Sequence, residues 1–242
     1  MGEAEERVAR ALEQRGARAQ TLVEKFPAAD EPLRFAAGLY RAQAAVRLTA
    51  DFGAFAEAVQ PVIRFVASSG PPGVAADART FSRDRLSAYW GGLSEFDYLS
   101  RAVLMPYARF LRESGVPPGR PEGPCKVCGG APWIATRRSA SSADGAMRML
   151  VCALCGFEWQ TARIRCPACG EEDPKKLPVF SAQERLGARI EACETCRGYV
   201  KSIDLTLDAR QIPEVDDLAT LSLDLWASEQ GFERLEPGLA GI

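Results

Sequence analysis

The eight cysteines of this 242-residue chain all lie between positions 125 and 196, where they form four Cys-x-x-Cys pairs. The pairs are separated by 23, 10 and 23 residues, and the last two repeat the first two at an offset of 41. One two-pair unit is therefore used twice. The cysteines are Cys125, Cys128, Cys152, Cys155, Cys166, Cys169, Cys193 and Cys196.

This spacing is typical of metal binding. Two thiolates separated by two residues can bind one ion from a tight turn, and two such turns complete a tetrahedron. Glycine directly follows the second cysteine at Gly129, Gly156 and Gly170, where such a turn favours a positive φ. The repeat predicts that pairs one and two bind one ion and pairs three and four another, so that all eight cysteines are ligands. An interleaved arrangement of the four pairs is the alternative.

The chain has no histidine, which excludes mixed Cys/His zinc sites and histidine-dependent catalysis. The predicted cofactors are two metal ions, each iron or zinc, because both suit tetrahedral sulfur. The run Cys166-Pro-Ala-Cys169-Gly170 looks like the iron-binding turn of a rubredoxin. Closed four-cysteine sites are usually structural. Thiol-disulfide exchange is a further alternative, but no pair follows a strand and begins a helix as in thioredoxin.

The charges and hydropathy predict a cytoplasmic protein. The first 19 residues carry too many charges for a secretory signal, and no apolar run is long enough to span a bilayer, so we expect no membrane insertion. Thiols stay reduced in the cytoplasm. The net charge of −2 lacks the basic surplus of a nucleic-acid binder, so no nucleic acid is predicted as a partner.

Helices are predicted throughout the first half of the chain. Apolar residues at helical spacing favour helices over 3–26, 30–44, 51–67 and 82–90, followed by a longer helix capped by Ser94. The helix over 51–67 is expected to bend near Pro61. The composition of 68–77 predicts a loop, and the proline- and glycine-rich segment 115–124 predicts a stiff linker.

The second half reads as short strands and one final helix. Each cysteine unit contains three predicted strands, at 133–138, 147–152, 157–164, 177–184, 188–193 and 199–207, and a turn is predicted at 139–145. A helix is predicted over 215–230, with Gly231 as its stop. The expected fold is multidomain, with an all-α N-terminal helical domain, two tandem rubredoxin-like or zinc-ribbon modules of four cysteines each, and a C-terminal helix. The predicted boundaries are 1–120, 121–165, 166–212 and 213–242.

Three stretches resemble the FdhE family of formate dehydrogenase accessory proteins. They are 152–169, 191–203 and 215–225, with a weaker likeness at 33–43. The resemblance implies a helical N-terminal domain, two rubredoxin-like metal modules and a cytosolic role in maturing formate dehydrogenase by binding its catalytic subunit. The chain departs from the family in a shorter N-terminal region and in lacking histidine. The resemblance therefore supports metal binding but no role for an imidazole.

Together these features predict an accessory protein rather than an enzyme. It would bind the catalytic subunit of formate dehydrogenase through a scaffold containing two four-cysteine metal sites, and a homodimer is left open. The first alternative is an iron-based redox protein acting during cofactor maturation, and the second is a zinc-ribbon protein that binds nucleic acid.

Overall fold

The computed structural model describes residues 2–94, 96–139, 145–182 and 187–241. Residue contacts divide the chain into two compact units, Met1–Gly130 and Ala131–Ile242. The first unit is helical and the second is built on a β-sheet, which confirms the predicted fold class. Most of the turn predicted at 139–145, and the end of the strand predicted over 177–184, lie outside the described residues. The four-segment division at 120, 165 and 212 stays a prediction.

The helical unit contains seven described α-helices. They are α1 Glu3–Val23, α2 Asp30–Ala44, α3 Phe52–Ala58, α4 Gln60–Ser69, α5 Pro72–Arg79, α6 Arg83–Trp90 and α7 Tyr98–Ser114. The core of the unit includes a cluster of stacked aromatic rings. The rings of Phe55 and Tyr107 lie 4.4 Å apart, and Trp90 lies 5.1 Å from Tyr107. Large aromatic surfaces removed from water in this way contribute strongly to stability.

Two predictions for this unit are corrected at prolines. The helix expected over 51–67 is two helices, and Pro61 lies in the first turn of α4. Of the loop expected over 68–77, only Gly70 and Pro71 lie outside helices, because α4 ends at Ser69 and α5 begins at Pro72. The reason is the same in both places. A proline at the start of a helix loses no hydrogen bond, and its fixed φ suits the first turn.

The N-cap of α7 is Asp97 rather than the predicted Ser94. One carboxylate oxygen of Asp97 accepts from the backbone N–H of Ser100 at 3.1 Å, and the other accepts from the Ser100 hydroxyl at 2.7 Å. Arg85 joins Asp97 to Asp77 with hydrogen bonds of 2.6–2.7 Å. Burial opposes ionisation of Asp97, but the hydrogen bonds from Arg85 and Ser100 outweigh it and lower its pKa. A contact distant in sequence therefore selects this cap.

The second unit has a seven-stranded sheet. The strands are β1 Pro132–Ser139, β2 Ala146–Cys152, β3 Glu158–Thr161, β4 Val179–Ser181, β5 Ala188–Ala192, β6 Gly198–Asp204 and β7 Glu233–Arg234. Their order is β3-β2-β1-β6-β5-β4, and β7 pairs with β6. Each cysteine repeat thus contributes three antiparallel strands. The two sets join through parallel pairing of β1 with β6, in which Ile134 lies opposite Lys201.

The C-terminal helix is present, but the prediction of one helix over 215–230 is wrong. The segment consists of α8 Pro213–Asp216, a 3-10 turn at Leu218–Thr220 and α9 Leu221–Glu229. At the break, the backbone carbonyls of Asp217 and Thr220 accept from Nζ of Lys201 at 2.9 and 3.3 Å. The carbonyl of Asp217 also accepts from the backbone N–H of Thr220 at 3.1 Å, which is the i to i+3 bond of a 3-10 turn. Gly231 ends α9 with φ of 74°, as predicted.

Among the described residues, no helix combines the length and the apolar character needed to cross a membrane.

Candidate metal centre

The structure brings the eight cysteines together in two groups of four. Within each group the Sγ atoms all lie within 4.8 Å of one another. The first group is Cys125, Cys128, Cys152 and Cys155, and the second is Cys166, Cys169, Cys193 and Cys196. This is the pairing that the 41-residue repeat predicts, and the interleaved alternative is not what the structure shows.

The sulfur positions in the second group fit a tetrahedrally bound ion. Sγ of Cys166 lies 3.7 Å from Sγ of Cys196, and Sγ of Cys169 lies 3.7 Å from Sγ of Cys193. A metal-to-sulfur distance of about 2.3 Å gives a tetrahedron with edges of about 3.8 Å. A disulfide would bring two sulfurs to about 2.05 Å. The donor set therefore suits zinc or iron, and the cysteines are free thiols rather than disulfides.

The four Cys-x-x-Cys turns share one hydrogen-bond pattern. The backbone N–H of each first cysteine donates to the carbonyl five residues later. The four bonds run from Cys125 to Gly130 (3.1 Å), Cys152 to Phe157 (2.9 Å), Cys166 to Glu171 (2.8 Å) and Cys193 to Gly198 (2.9 Å). Because the backbone closes each turn in the same way, both cysteines of a pair are directed to one point.

A positive φ after the second cysteine completes each turn. Gly129, Gly156 and Gly170 have φ values of 72°, 65° and 77°. A Cβ at Gly129 would also collide with the carbonyl oxygen of Pro121. At the fourth turn the residue with positive φ is Arg197, at 58°. A non-glycine residue in this region is strained unless its surroundings hold it there.

The side chain of Arg197 provides that support. Its Nη2 donates to the carbonyl of Gln230 at 2.6 Å, and Nη1 pairs with Glu194. The guanidinium also lies 3.9 Å from the centroid of the Phe232 ring. These contacts fix the fourth turn against the segment that follows α9. The arginine therefore stands where the other turns have glycine.

The two groups differ in their access to water. All four cysteines of the first group are buried, whereas Cys169 and Cys196 of the second are exposed. Burial raises the pKa of the Cys166 thiol. Burial also opposes ionisation of Cys193, but hydrogen bonds from the backbone N–H groups of Cys196 and Thr195 outweigh it and lower its pKa. The turn amides thus favour a thiolate at Cys193, which is the form that binds a metal.

Four thiolates around one ion leave no open coordination position. Such a site can crosslink the chain or, with iron, pass an electron, but it cannot bind a substrate at the metal. The geometry therefore supports scaffold or redox chemistry rather than hydrolysis.

A buried ionic cluster next to α9 is the main feature that the sequence reasoning missed. Asp216 ends α8, and Asp217 lies between α8 and the 3-10 turn. In the structure Oδ1 of Asp217 lies 3.0 Å from Nζ of Lys201 and accepts from Nη2 of Arg234 at 2.8 Å. The Asp216 carboxylate accepts instead from the backbone N–H of Ile212 at 2.8 Å. Asp217 is therefore held by cations and is not directed toward either cysteine group.

Asp224 completes this cluster. It pairs with Lys201, and its Oδ1 accepts from the Tyr199 hydroxyl at 2.9 Å and from Nη1 of Arg234 at 3.2 Å. Burial opposes ionisation of Asp217, yet Arg234 and Lys201 outweigh it and lower its pKa. Two cations and two carboxylates thus balance inside the unit. One feature of the sequence could have indicated this cluster. Lys201 is a charged residue within the otherwise uncharged run 198–203.

Two other arginines, Arg138 and Arg120, make defined polar contacts near the cysteine turns or strands of this region. Arg138 and Glu158 form a bidentate pair with distances of 2.8 and 2.7 Å, so each satisfies the other. Arg120, in the predicted linker, donates to the carbonyl of Trp90 at 2.6 Å and to that of Cys128 at 3.1 Å. Its guanidinium lies 4.8 Å from the Trp90 ring. Arg120 therefore fixes the first cysteine turn to the end of α6.

Known proteins are similar to this chain in sequence and in fold. Residues 164–239 match the family model described as the C-terminal domain of FdhE. An FdhE homolog from Aquifex aeolicus is 37% identical over 117 residues, which is 48% of this chain and 41% of that protein. One from Haemophilus influenzae strain Rd is 33% identical over 154 residues, or 63% of this chain and 48% of that protein. The matched region thus spans less than half the length of these curated relatives.

A solved structure extends the likeness beyond the cysteine region. The crystal structure of the FdhE protein from Pseudomonas aeruginosa has a TM-score of 0.68 and 25% sequence identity, and the match covers 94% of each chain. Fold and site together define a class of proteins in which a helical unit precedes two tandem four-cysteine modules and a C-terminal helix. Within that class, the chain is similar to the FdhE proteins, in sequence over residues 164–239 and in fold over 94% of its length.

Proposed function

We propose that this protein is a cytoplasmic accessory factor for formate dehydrogenase maturation, which binds the catalytic subunit and does not itself catalyse a reaction. The observation that carries the proposal is the pair of four-cysteine groups in a chain that is similar to FdhE proteins. In this proposal each group binds one metal ion, iron or zinc, through its four thiolates. An ion held in this way supplies a rigid crosslink and, if it is iron, a one-electron redox centre.

The chain's own residues give this scaffold its rigidity. The glycines and Arg197 set the turns that present the thiolates, and Lys201 holds the segment leading into α9 through Asp217 and Thr220. A preformed surface binds a partner with less loss of conformational entropy than a flexible one. Rigid four-cysteine modules are thus suited to recognition of another polypeptide.

A binding experiment tests the proposal directly. We expect the full chain, immobilised with both ions bound, to capture the purified apo catalytic subunit of formate dehydrogenase. The Cys125→Ser/Cys166→Ser variant, which loses one ligand from each site, is compared with the unaltered protein and is expected to capture less subunit. An unrelated enzyme of similar size serves as the specificity control. Absence of capture by the unaltered protein would contradict the proposed role.

An iron-based redox function is the second candidate, favoured by the exposure of Cys169 and Cys196. Exposed thiolates at the edge of an iron site give a short path for an electron to a partner. We expect an iron-loaded native preparation to show visible thiolate-to-iron absorption that bleaches on reduction, and Cys166→Ser to remove the part due to the second site. Colourless protein containing two zinc ions would rule this candidate out. The nucleic-acid alternative gains no support from the net charge of −2.

A further inference from the structure

A pocket of about 170 Å³ opens within the sheet unit. Five arginines line it, together with one carboxylate, Glu191, among the described lining residues. The arginines are Arg137, Arg148, Arg163, Arg165 and Arg189. Two cysteines of the second group, Cys166 and Cys193, also line the pocket, so it adjoins the candidate metal site. The proposed function does not use its arginines.

Strand register explains how three of these arginines meet. Arg137 on β1 lies directly opposite Arg148 on β2. Arg189 on β5 lies opposite Ser202 on β6, and Ser202 in turn lies opposite Ala135 on β1. Because side chains alternate between the two faces of a strand, all three arginines belong to one face. Like charges in directly opposed positions destabilise a sheet unless a counter-charge lies nearby.

Three carboxylates balance part of the charge of the five arginines. Oδ2 of Asp204 lies 3.5 Å from Nη1 of Arg137, and Oε1 of Glu172 lies 3.6 Å from Nη1 of Arg165. Glu191 is shared, because its Oε2 accepts from Nε of Arg148 at 2.8 Å while its Oε1 lies 3.6 Å from Nε of Arg189. Arg148 also donates to the carbonyls of Ala162 and Arg165 at 3.1 and 3.0 Å. Arg148 is therefore a positioning residue that fixes the segment carrying Arg163 and Arg165.

Arg189 differs from Arg148 in having hydrogen-bond capacity to spare. Its Nε is buried and makes no hydrogen bond within the part of the chain that the structure describes. A buried donor without an acceptor is costly, and most such groups in proteins are satisfied. Arg189 thus supplies a donor that lacks an acceptor, in a pocket with a surplus of guanidinium groups.

We propose that this pocket binds an oxyanion, the carboxylate or phosphate group that guanidinium recognises. The planar fork of arginine donates two parallel hydrogen bonds to either group. A volume of about 170 Å³ admits one such group, whereas whole drug-sized ligands occupy roughly 300–1,000 Å³. The anion is either the acidic side chain of a bound polypeptide or free phosphate. Arg189 is the principal contact, and the exposed Arg163 is a second. The proposal does not depend on formate dehydrogenase. It concerns the protein with both metal sites filled, because Cys166 and Cys193 line the pocket.

Anion titration of the full chain, ¹⁵N-labelled and with both ions bound, tests this assignment. We expect inorganic phosphate or acetate, added at constant ionic strength against chloride, to produce saturable shifts of amide signals from the Arg189 and Val200 region. Arg189→Gln should weaken binding about tenfold, since it removes a charge-assisted contact. The matched control is Arg210→Gln, which makes the same change on an exposed arginine paired with Asp208 outside the pocket.

Each outcome decides a point. Saturation by phosphate alone identifies a free-phosphate site, and saturation by acetate identifies a site for acidic side chains. Shifts no larger than those with chloride overturn the proposal, and so does equal weakening by Arg210→Gln. If Arg189→Gln fails to fold, Arg163→Gln replaces it with the same expected loss, because Arg163 is exposed. Unchanged affinity in that variant also refutes the assignment.

Discussion

Replacing Cys152 by alanine is expected to reduce the bound metal from two ions to one per chain and to unfold the first cysteine module. Cys152 ends β2 and belongs to the first group of four sulfurs. Structural zinc sites contribute roughly 10–16 kcal/mol of binding free energy to folding, so losing one ligand of four removes the main support of a small module. Elemental analysis measures the metal content, and circular dichroism should show that the helical signal is kept.

Two further variants make this result specific. Lys126→Ala changes an exposed residue between the cysteines of the first pair and should leave both ions bound. Cys166→Ala should remove the other ion and leave the first site filled. Two ions per chain after Cys152→Ala would contradict the ligand assignment, whatever the stability of the variant.

Replacing Lys201 by methionine is expected to lower the free energy of unfolding by about 3–5 kcal/mol. Lys201 is fully buried between Asp217 and Asp224. Methionine keeps most of its volume but leaves two buried carboxylates facing one remaining cation, Arg234. Removing one partner from a buried ion pair costs far more than the pair itself contributes. Urea unfolding followed by tryptophan fluorescence measures the difference.

We expect the loss of stability in Lys201→Met to come from charge imbalance rather than from altered packing. A double variant separates these two causes. Lys201→Met combined with Asp224→Asn restores electrical neutrality and should recover part of the lost stability. Arg210→Met removes a surface ion pair with Asp208 and should change stability little. A Lys201→Met protein as stable as the unaltered chain would show that the cluster carries no net electrostatic role.

The sequence by itself predicted the grouping of the cysteines that the structure shows. Within each repeat, two Cys-x-x-Cys pairs supply the four thiolates of a tetrahedral site. The turns that hold these cysteines depend on residues close by in the sequence. The same local logic predicted Gly129, Gly156 and Gly170 as turn residues, and it placed the strands of both repeats close to their observed positions. Short-range periodicity and backbone sterics were sufficient for these features.

Tertiary structure decided everything that depends on distant partners. Parallel pairing of β1 with β6 joins the two repeats into one sheet, although no local pattern specifies which strands become neighbours. At the break in the C-terminal helical segment, the buried ammonium group of Lys201 donates to the backbone carbonyls of Asp217 and Thr220. The arginine pocket likewise arises from register across strands. A buried charge needs a counter-charge close to it in space. The spacing of residues in the sequence does not predict which residue supplies it.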